Sequence, residues 1–300
     1  MAASGHNPSP QTEPTAGVRS VTPDPAVPGG IAPGARRVRV HHLRQAKERG
    51  EKITMLTAYD AATAALFDAA GVDTLLVGDS IGNTMLGHAT TLPVTLDDMV
   101  RAGRAVASAA RRAFVVVDLP FGTYEEGPAQ ALASAVRIMK ETGASAVKLE
   151  GGRRSAAQIQ ALTEAGIPVV GHLGYTPQSE NALGGPRVQG RGDEAAEDLS
   201  QDALAVQEAG ACGVVLEMVP RELAARITEF LAIPTIGIGA GPDVDGQVLV
   251  WTDMAGMTGW SPRFARRFAE AGALLREAAQ EYADAVRSGE FPTAEHTFEQ

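Results

Sequence analysis

Acidic residues stand in this sequence where apolar ones are the rule. Asp118, Glu150 and Glu217 fall within the runs FVVVDLP (114–120), AVKLEG (146–151) and GVVLEMV (213–219). Burying a carboxylate in such a run without a partner is costly. Asp79 and Ser80 end TLLVGDS (74–80), Lys148 shares its run with Glu150, and His172 lies in PVVGHLG (168–174). If Asp79, Asp118 and Glu150 meet, Lys148 offsets one of their charges and a divalent cation would offset the rest. An all-oxygen ligand set favours Mg²⁺ or Mn²⁺ over zinc. A hard cation there can chelate a 2-oxo acid and stabilise the enolate formed when a carbon beside the ketone loses its proton. Glu217 suits the base, and Lys148 and His172 can hold the oxyanion or the carboxylate. A Schiff base on Lys148 ranks lower, because the acids would keep the lysine protonated.

Each residue also has a plainer reading. A single acid at a strand end commonly caps the following helix or pairs with a base; Asp60, directly after TAY, fits that description. The functional reading draws its weight from the number of polar side chains assigned to one end of the strands.

Positioning them requires a repeating frame. Eight β-branched runs are predicted as strands: 53–59, 74–80, 114–120, 146–151, 168–174, 213–219, 234–240 and 247–251. Their near-continuous apolar character marks strands covered on both faces, as in a parallel sheet. Helices are predicted over 61–70, 96–111, 128–142, 155–165, 194–209 and 220–231, with an extra helix over 40–50 and a final one over 262–287. Thr95 with Asp98 reads as a capping box, and Gly71, Gly143, Gly166 and Gly210 follow the helices they end. Eight alternations predict a (β/α)8 TIM barrel, with an open doubly wound sheet as the rival. The segment GPDVDG leaves no room for a helix between the seventh and eighth strands. In a barrel, all the polar residues above fall at the C-terminal mouth, and strand parity puts Lys148 and Glu150 on one side.

Composition narrows the partners. The 300 residues carry a net charge of −10, with 44% apolar and 5% aromatic residues. This balance argues against nucleic acid and anionic membrane surfaces and leaves small molecules as the expected partners. One cysteine, Cys212, excludes an intramolecular disulfide and reads as a small core residue. No apolar run is long enough to span a membrane, no secretory or transit pattern opens the chain, and the cytoplasm is the expected location. Residues 1–36 are rich in proline and glycine and are expected to form a disordered tail, with a single barrel domain over 37–300. GIGAG (237–241) is not a full dinucleotide fingerprint; it could cradle an anionic group, and tight turning is at least as good a reading. His41-His42 reads as solvated surface, His88 as a loop residue near the mouth or a packing histidine, and Arg191-Gly192-Asp193 as chance.

The motifs also form an ordered set. TAYD (57–60), LLVGDSIGNTMLGHATTLPVT (75–95), VVDLPFGTY (116–124), AVKLEGG (146–152), GHLGYTPQS (171–179), QGRGDEA (189–195), LEMVP (216–220) and IGIGAG (236–241) resemble the ketopantoate hydroxymethyltransferase family, from about residue 37 to FPTAEHTF. The resemblance implies a Mg²⁺-dependent transfer of a one-carbon unit from 5,10-methylenetetrahydrofolate to 3-methyl-2-oxobutanoate, giving 2-dehydropantoate for pantothenate synthesis. It assigns Asp79 and Asp118 to the metal, with Glu150 completing the shell directly or through water. It places Ser80 and Lys148 on the oxo acid with Asp79 and Asp118, Glu217 as proton acceptor and His172 near the substrate. It also implies a ring-like homo-oligomer, a decamer in bacterial members. Pro186 stands where the family usually has an aromatic residue, which leaves any folate contact from that loop open. A lyase of the related Mg²⁺ barrels is the rival enzyme; such lyases use a loop cysteine, and Cys212 enters its strand from the wrong end. A non-catalytic metabolite-binding barrel is the third reading.

Overall fold

The computed structural model describes residues 30–32 and 36–298. In chain order the elements are α1 (Val40–Arg49), β1 (Ile53–Thr57), α2 (Ala61–Ala69), β2 (Thr74–Val77), α3 (Ile81–Thr84), α4 (Leu96–Ala109), β3 (Phe114–Asp118) and α5 (Pro128–Thr142). They continue with β4 (Ala146–Glu150), α6 (Ala156–Glu164), β5 (Val169–Gly174), α7 (Glu180–Leu183), α8 (Asp193–Glu208), β6 (Gly213–Glu217) and α9 (Arg221–Phe230). The last are β7 (Thr235–Ile238), β8 (Gly246–Leu249), α10 (Trp251–Met254) and α11 (Ala271–Ser288). The strands form a closed barrel in sequence order, sealed by parallel pairing of β1 with β8. The expected TIM barrel is the observed fold.

Strand parity divides the interior into two apolar layers. Leu75, Val115, Val117, Val147, Leu149, Val214 and Leu216 point outward and pack under the helices. Met55, Leu76, Phe114, Val116, Ala146, Val170, Val215 and Val248 fill the lumen. Along each strand the lumen column begins apolar and ends polar: Phe114 and Val116 lead to Asp118, Ala146 to Lys148 and Glu150, Val170 to His172, Val215 to Glu217. The apolar floor drives closure, and only the upper layer is free to carry charge.

Local signals hold at the expected places. The Asp60 carboxylate accepts from Ala62 N and Thr63 N and so caps α2. Thr95 and Asp98 form the capping box of α4. No helix joins β7 to β8. GIGAG turns tightly, and Gly239 (φ +64°) admits the Phe264 ring, which a Cβ would approach to 3.1 Å.

Two expectations change. The final helix begins at Ala271 rather than 262. Residues 262–270 instead cross the mouth, where Phe264 packs with the lumen layer and the Phe268 N–H donates to Met254 O. Burial of the Phe264 ring outweighs the helical propensity of PRFARRFAE. The expected tail also contains ordered core. Ile31 and Ala32 are buried on the barrel floor, and the Ile31 N–H donates to Asp73 Oδ1 at 3.1 Å. The remainder of that tail, apart from 30–32 and 36, lies outside the described residues.

The helical coat is uneven. β2, β3, β4 and β7 are buried on both faces, whereas Thr54 on β1 and Gln247 on β8 are exposed, with Leu56 and Leu249 partly so. Only the four-residue α10 follows β8 directly. α11 buries none of its residues and exposes Leu274, Leu275, Tyr282 and Val286. Among the described residues no helix is long and apolar enough to cross a membrane.

Candidate active site

Strand register decides which polar residues become neighbours. Asp118 on β3 pairs with Lys148 on β4, Glu150 on β4 with His172 on β5, and Gly174 on β5 with Glu217 on β6. Lys148 Nζ consequently lies 2.6 Å from Asp118 Oδ1, with both side chains almost fully buried. His172 stands between two acids: Nδ1 is 3.3 Å from Glu150 Oε1 and Nε2 is 3.2 Å from Glu217 Oε2. The Asp79 N–H donates to Asp118 Oδ2 at 3.0 Å, which locks the β2 turn to β3. Ser80 Oγ is 2.8 Å from the Tyr59 hydroxyl.

These groups enclose one cavity of about 130 Å³. Asp79, Ser80, Asp118, Lys148, His172 and Glu217 all line it, over a floor that includes Leu76 and Val215, with Phe264 at the side. That volume is well below the range typical of drug-sized ligands, so it suits a metabolite of a few carbons. Glu150 is set back from this cavity and reaches it through His172 and Gln178. A larger cavity of about 520 Å³ lies beside the ends of β4 and β5, but its Arg153 is already paired with Asp198 and Asp202.

The electrostatics follow from burial and crowding. Burial pushes the Asp79 carboxyl up to about 7, aided by Asp118 and Glu150 and opposed by Lys148 and the Gln178 amide. Burial also raises Asp118, against the pull of Lys148. Burial disfavours a charged Lys148, yet Asp118, Asp79 and Glu150 together hold it above its ordinary range. A lysine so held is a poor Schiff-base nucleophile. Burial and Lys148 act to lower His172, but Glu150 and Glu217 outweigh them and carry it up to about 9.

Glu217 is fixed from both sides. The Tyr175 N–H donates to Glu217 O at 2.8 Å. Gly174 (φ +90°) leaves room for that approach, since a Cβ there would lie 2.1 Å from Glu217 O. Met218 follows with φ +50°, a left-handed conformation uncommon outside glycine. Its N–H donates to Ile238 O and its carbonyl accepts from Gln189 N, both at 2.9 Å.

A divalent cation fits the donor set. Buried carboxylates outnumber buried cationic side chains here, and Asp79 Oδ1 accepts no hydrogen bond among the described residues. Among the described residues no three His, Cys, Asp or Glu side chains converge closely enough to ligate one ion as they stand. Mg²⁺ needs no such cage: it is held by one or two carboxylates and keeps several waters. Asp79 and Asp118 would hold it, with Glu150 acting through water.

Sequence reasoning overlooked four residues. Gln178 and Tyr124 sit among the acids, and Asp253 and Phe264 line the cavity. Gln178 and Tyr124 lie inside GHLGYTPQS and VVDLPFGTY, so motif membership was their signal; Asp253 had none. Cys212 lies at the opposite end of the barrel, beside Leu43 and Ile53, where burial pushes its thiol up to about 12. A loop-cysteine lyase finds no residue for its chemistry there.

A closed (β/α)8 barrel with its ionisable side chains pooled at the C-terminal mouth defines a barrel enzyme acting on a small polar metabolite. Solved structures share the fold. A 2,3-dimethylmalate lyase of the PEP mutase/isocitrate lyase superfamily is 17% identical with a TM-score of 0.54, over 86% of this chain and 91% of that one. A phosphonopyruvate hydrolase in complex with oxalate and Mg²⁺ is 15% identical with a TM-score of 0.56, over 86% and 93%. At such identities the likeness is one of fold alone. The sequence profile of the ketopantoate hydroxymethyltransferase family matches residues 37–294, and the chain belongs to that family. The 3-methyl-2-oxobutanoate hydroxymethyltransferase of Leifsonia xyli subsp. xyli is 60% identical over 91% of this chain and all of its own length. The enzyme of the same name from Saccharopolyspora erythraea is 60% identical over 91% of this chain and 93% of its own. The protein is therefore a transferase of the hydroxymethyltransferase type.

Proposed function

We propose that this enzyme transfers a hydroxymethyl group from 5,10-methylenetetrahydrofolate to 3-methyl-2-oxobutanoate, with Mg²⁺, forming 2-dehydropantoate and tetrahydrofolate. The observation that carries the reading is the placement of Glu217 across one small cavity from Asp79 and Asp118, with Lys148 and His172 between them. Glu217 takes the C3 proton of the oxo acid, leaving an enolate. Lys148 and the charged His172 offset its negative oxygen and the substrate carboxylate. Both C–N bonds of the donor methylene break with one water, whose protons go to the two folate nitrogens and whose oxygen stays on the carbon. C3 attacks that carbon, and the alkoxide formed takes back the proton held by Glu217, so one water is consumed overall. A bound Mg²⁺ would supply a Lewis acid for the keto oxygen. Ser80 orients the acid on the Asp79 side, held by Tyr59. The donor is too large for the inner cavity and approaches from the mouth.

A homo-oligomer and a cytoplasmic location belong to the same proposal. The exposed apolar residues of α11 and the thin coat over β1 and β8 support association with further copies.

Exchange of the C3 hydrogen of 3-methyl-2-oxobutanoate in D₂O, followed by proton NMR without folate, isolates the first step. Exchange is expected to need Mg²⁺ and to stop on chelation. Glu217→Gln is expected to abolish it while substrate still binds; exchange at the wild-type rate in that variant would falsify the assignment of the base.

A further inference from the structure

Gln178 occupies the turn Pro177–Ser179 that follows β5, and it is buried. Its main-chain N–H donates to Glu150 Oε2 at 3.1 Å. Its side-chain Nε2 donates to Asp79 Oδ2 at 2.8 Å and to Leu119 O at 3.0 Å. Its Oε1 accepts from the Tyr124 hydroxyl, and that hydroxyl accepts from Glu150 N at 3.3 Å. One residue thus bridges two carboxylates whose strands are not adjacent in the barrel.

The amide has only one workable orientation. Leu119 O is solely an acceptor, and an ionised Asp79 is too, so the NH₂ group must face them. Oε1 then faces Tyr124, whose hydroxyl must donate. A flipped amide would set oxygen against oxygen at both Asp79 and Leu119.

We propose that Gln178, with its amide oriented by Tyr124, is a positioning residue that commits one oxygen of Asp79 and one of Glu150 to N–H donors and leaves Asp79 Oδ1 for a cation. This rests on the reading of a divalent cation at the acid cluster. At Asp118, Oδ2 is taken by the Asp79 N–H and Oδ1 lies 2.6 Å from Lys148 Nζ. The oxygens left over are the informative ones. Asp79 Oδ1 accepts no hydrogen bond among the described residues, whereas Glu150 Oε1 is buried facing His172 Nδ1 at 3.3 Å. Asp79 therefore keeps one oxygen clear of any donor, and the rotamers of Asp79 and Glu150 are set before any ion arrives. Such pre-set ligands bind with less ordering entropy to lose. A purely structural Gln178 would tie its loop to the barrel and affect stability, but it would have no reason to act on cation affinity.

The test is Mn²⁺ binding to the full-length enzyme, followed by EPR of the free ion, alongside activity titrated with Mn²⁺. Gln178→Leu is expected to weaken Mn²⁺ binding about 10- to 100-fold. Tyr124→Phe removes only a hydroxyl and is expected to weaken it about two- to tenfold. In both, kcat at saturating Mn²⁺ should return close to the wild-type value while the Mn²⁺ requirement rises. A Gln178→Leu enzyme that binds Mn²⁺ within twofold of wild type overturns the role of Gln178. Should that variant fail to fold, unchanged Mn²⁺ affinity in Tyr124→Phe overturns it equally. A wild-type enzyme that binds no Mn²⁺ overturns the cation reading itself, a result distinct from normal wild-type binding with unaffected variants.

Discussion

Replacing Lys148 with methionine removes the one lysine buried among Asp79, Asp118 and Glu150 while keeping most of its volume. Lys148 Nζ lies 2.6 Å from Asp118 Oδ1, with side-chain exposures of 4% and 2%. At an effective dielectric of about 20, that contact alone is a gross attraction of ~6 kcal/mol. The lysine also regains its own desolvation when removed, so the net loss is smaller, about 3–5 kcal/mol, as for other broken buried pairs. The pH dependence has a definite sign. Lys148 is raised in the folded state, so its contribution is complete below its unfolded value of ~10.4 and is lost only as pH climbs above that. Between pH 5.5 and 8.5 it is therefore constant. Asp79 is raised to about 7, so the stability tied to its protonated form is present at low pH and is lost as pH rises through about 7. In Lys148→Met the ionised acids face one another uncompensated at pH 8.5, whereas at pH 5.5 Asp79 holds its proton. Urea denaturation in EDTA, at one protein concentration, should show the full loss at pH 8.5 and a clearly smaller one at pH 5.5. The double variant Asp118→Asn/Lys148→Met should recover part of it. A loss under about 1 kcal/mol at pH 8.5, or an equal loss at both pH values, would refute the reasoning that these charges are buried and mutually dependent.

Two further variants probe the frame around the site. Gly174→Ala places a methyl group 2.1 Å from Glu217 O and holds alanine at φ +90°, a strain of about 1–2 kcal/mol; the displaced Glu217 should slow C3 exchange about a hundredfold, and a rate within tenfold of wild type would show that Gly174 does not set its position. Leu274→Glu/Leu275→Glu alters only exposed positions of α11, so circular dichroism should be unchanged while, if the proposed association uses α11, gel filtration shifts to a smaller species; an unshifted elution volume would remove α11 from the proposed interface.

The relatives at 60% identity carry the substrate reading, while the fold neighbours below 20% identity catalyse different reactions on the same frame. Fold likeness therefore does not choose the chemistry here. The choice rests on side chains at the mouth: Glu217 faces the Asp79–Asp118 pair, and the lone thiol of Cys212 lies at the far end of the barrel.

What the sequence by itself determined is what depends on neighbours along the chain. Period-two alternation set Asp118, Lys148, Glu150, His172 and Glu217 on inward faces, and the rhythm of eight apolar runs closed by capping residues specified the barrel. Asp60 and the Thr95–Asp98 box were legible for the same reason, since a cap reads only the next turn of helix. Tertiary structure alone decided which of those inward residues touch. The stagger between strands set Asp118 against Lys148 and His172 against both Glu150 and Glu217, because register is settled by closing the whole barrel. The Gln178–Asp79 hydrogen bond spans 99 residues, and no local pattern encodes it. Phe264 abandons a helix for the mouth, and Ile31 leaves an expected tail for the barrel floor. In both cases burial of one apolar side chain against distant strands outweighs the preference of its own segment, and that comparison exists only once the barrel has formed.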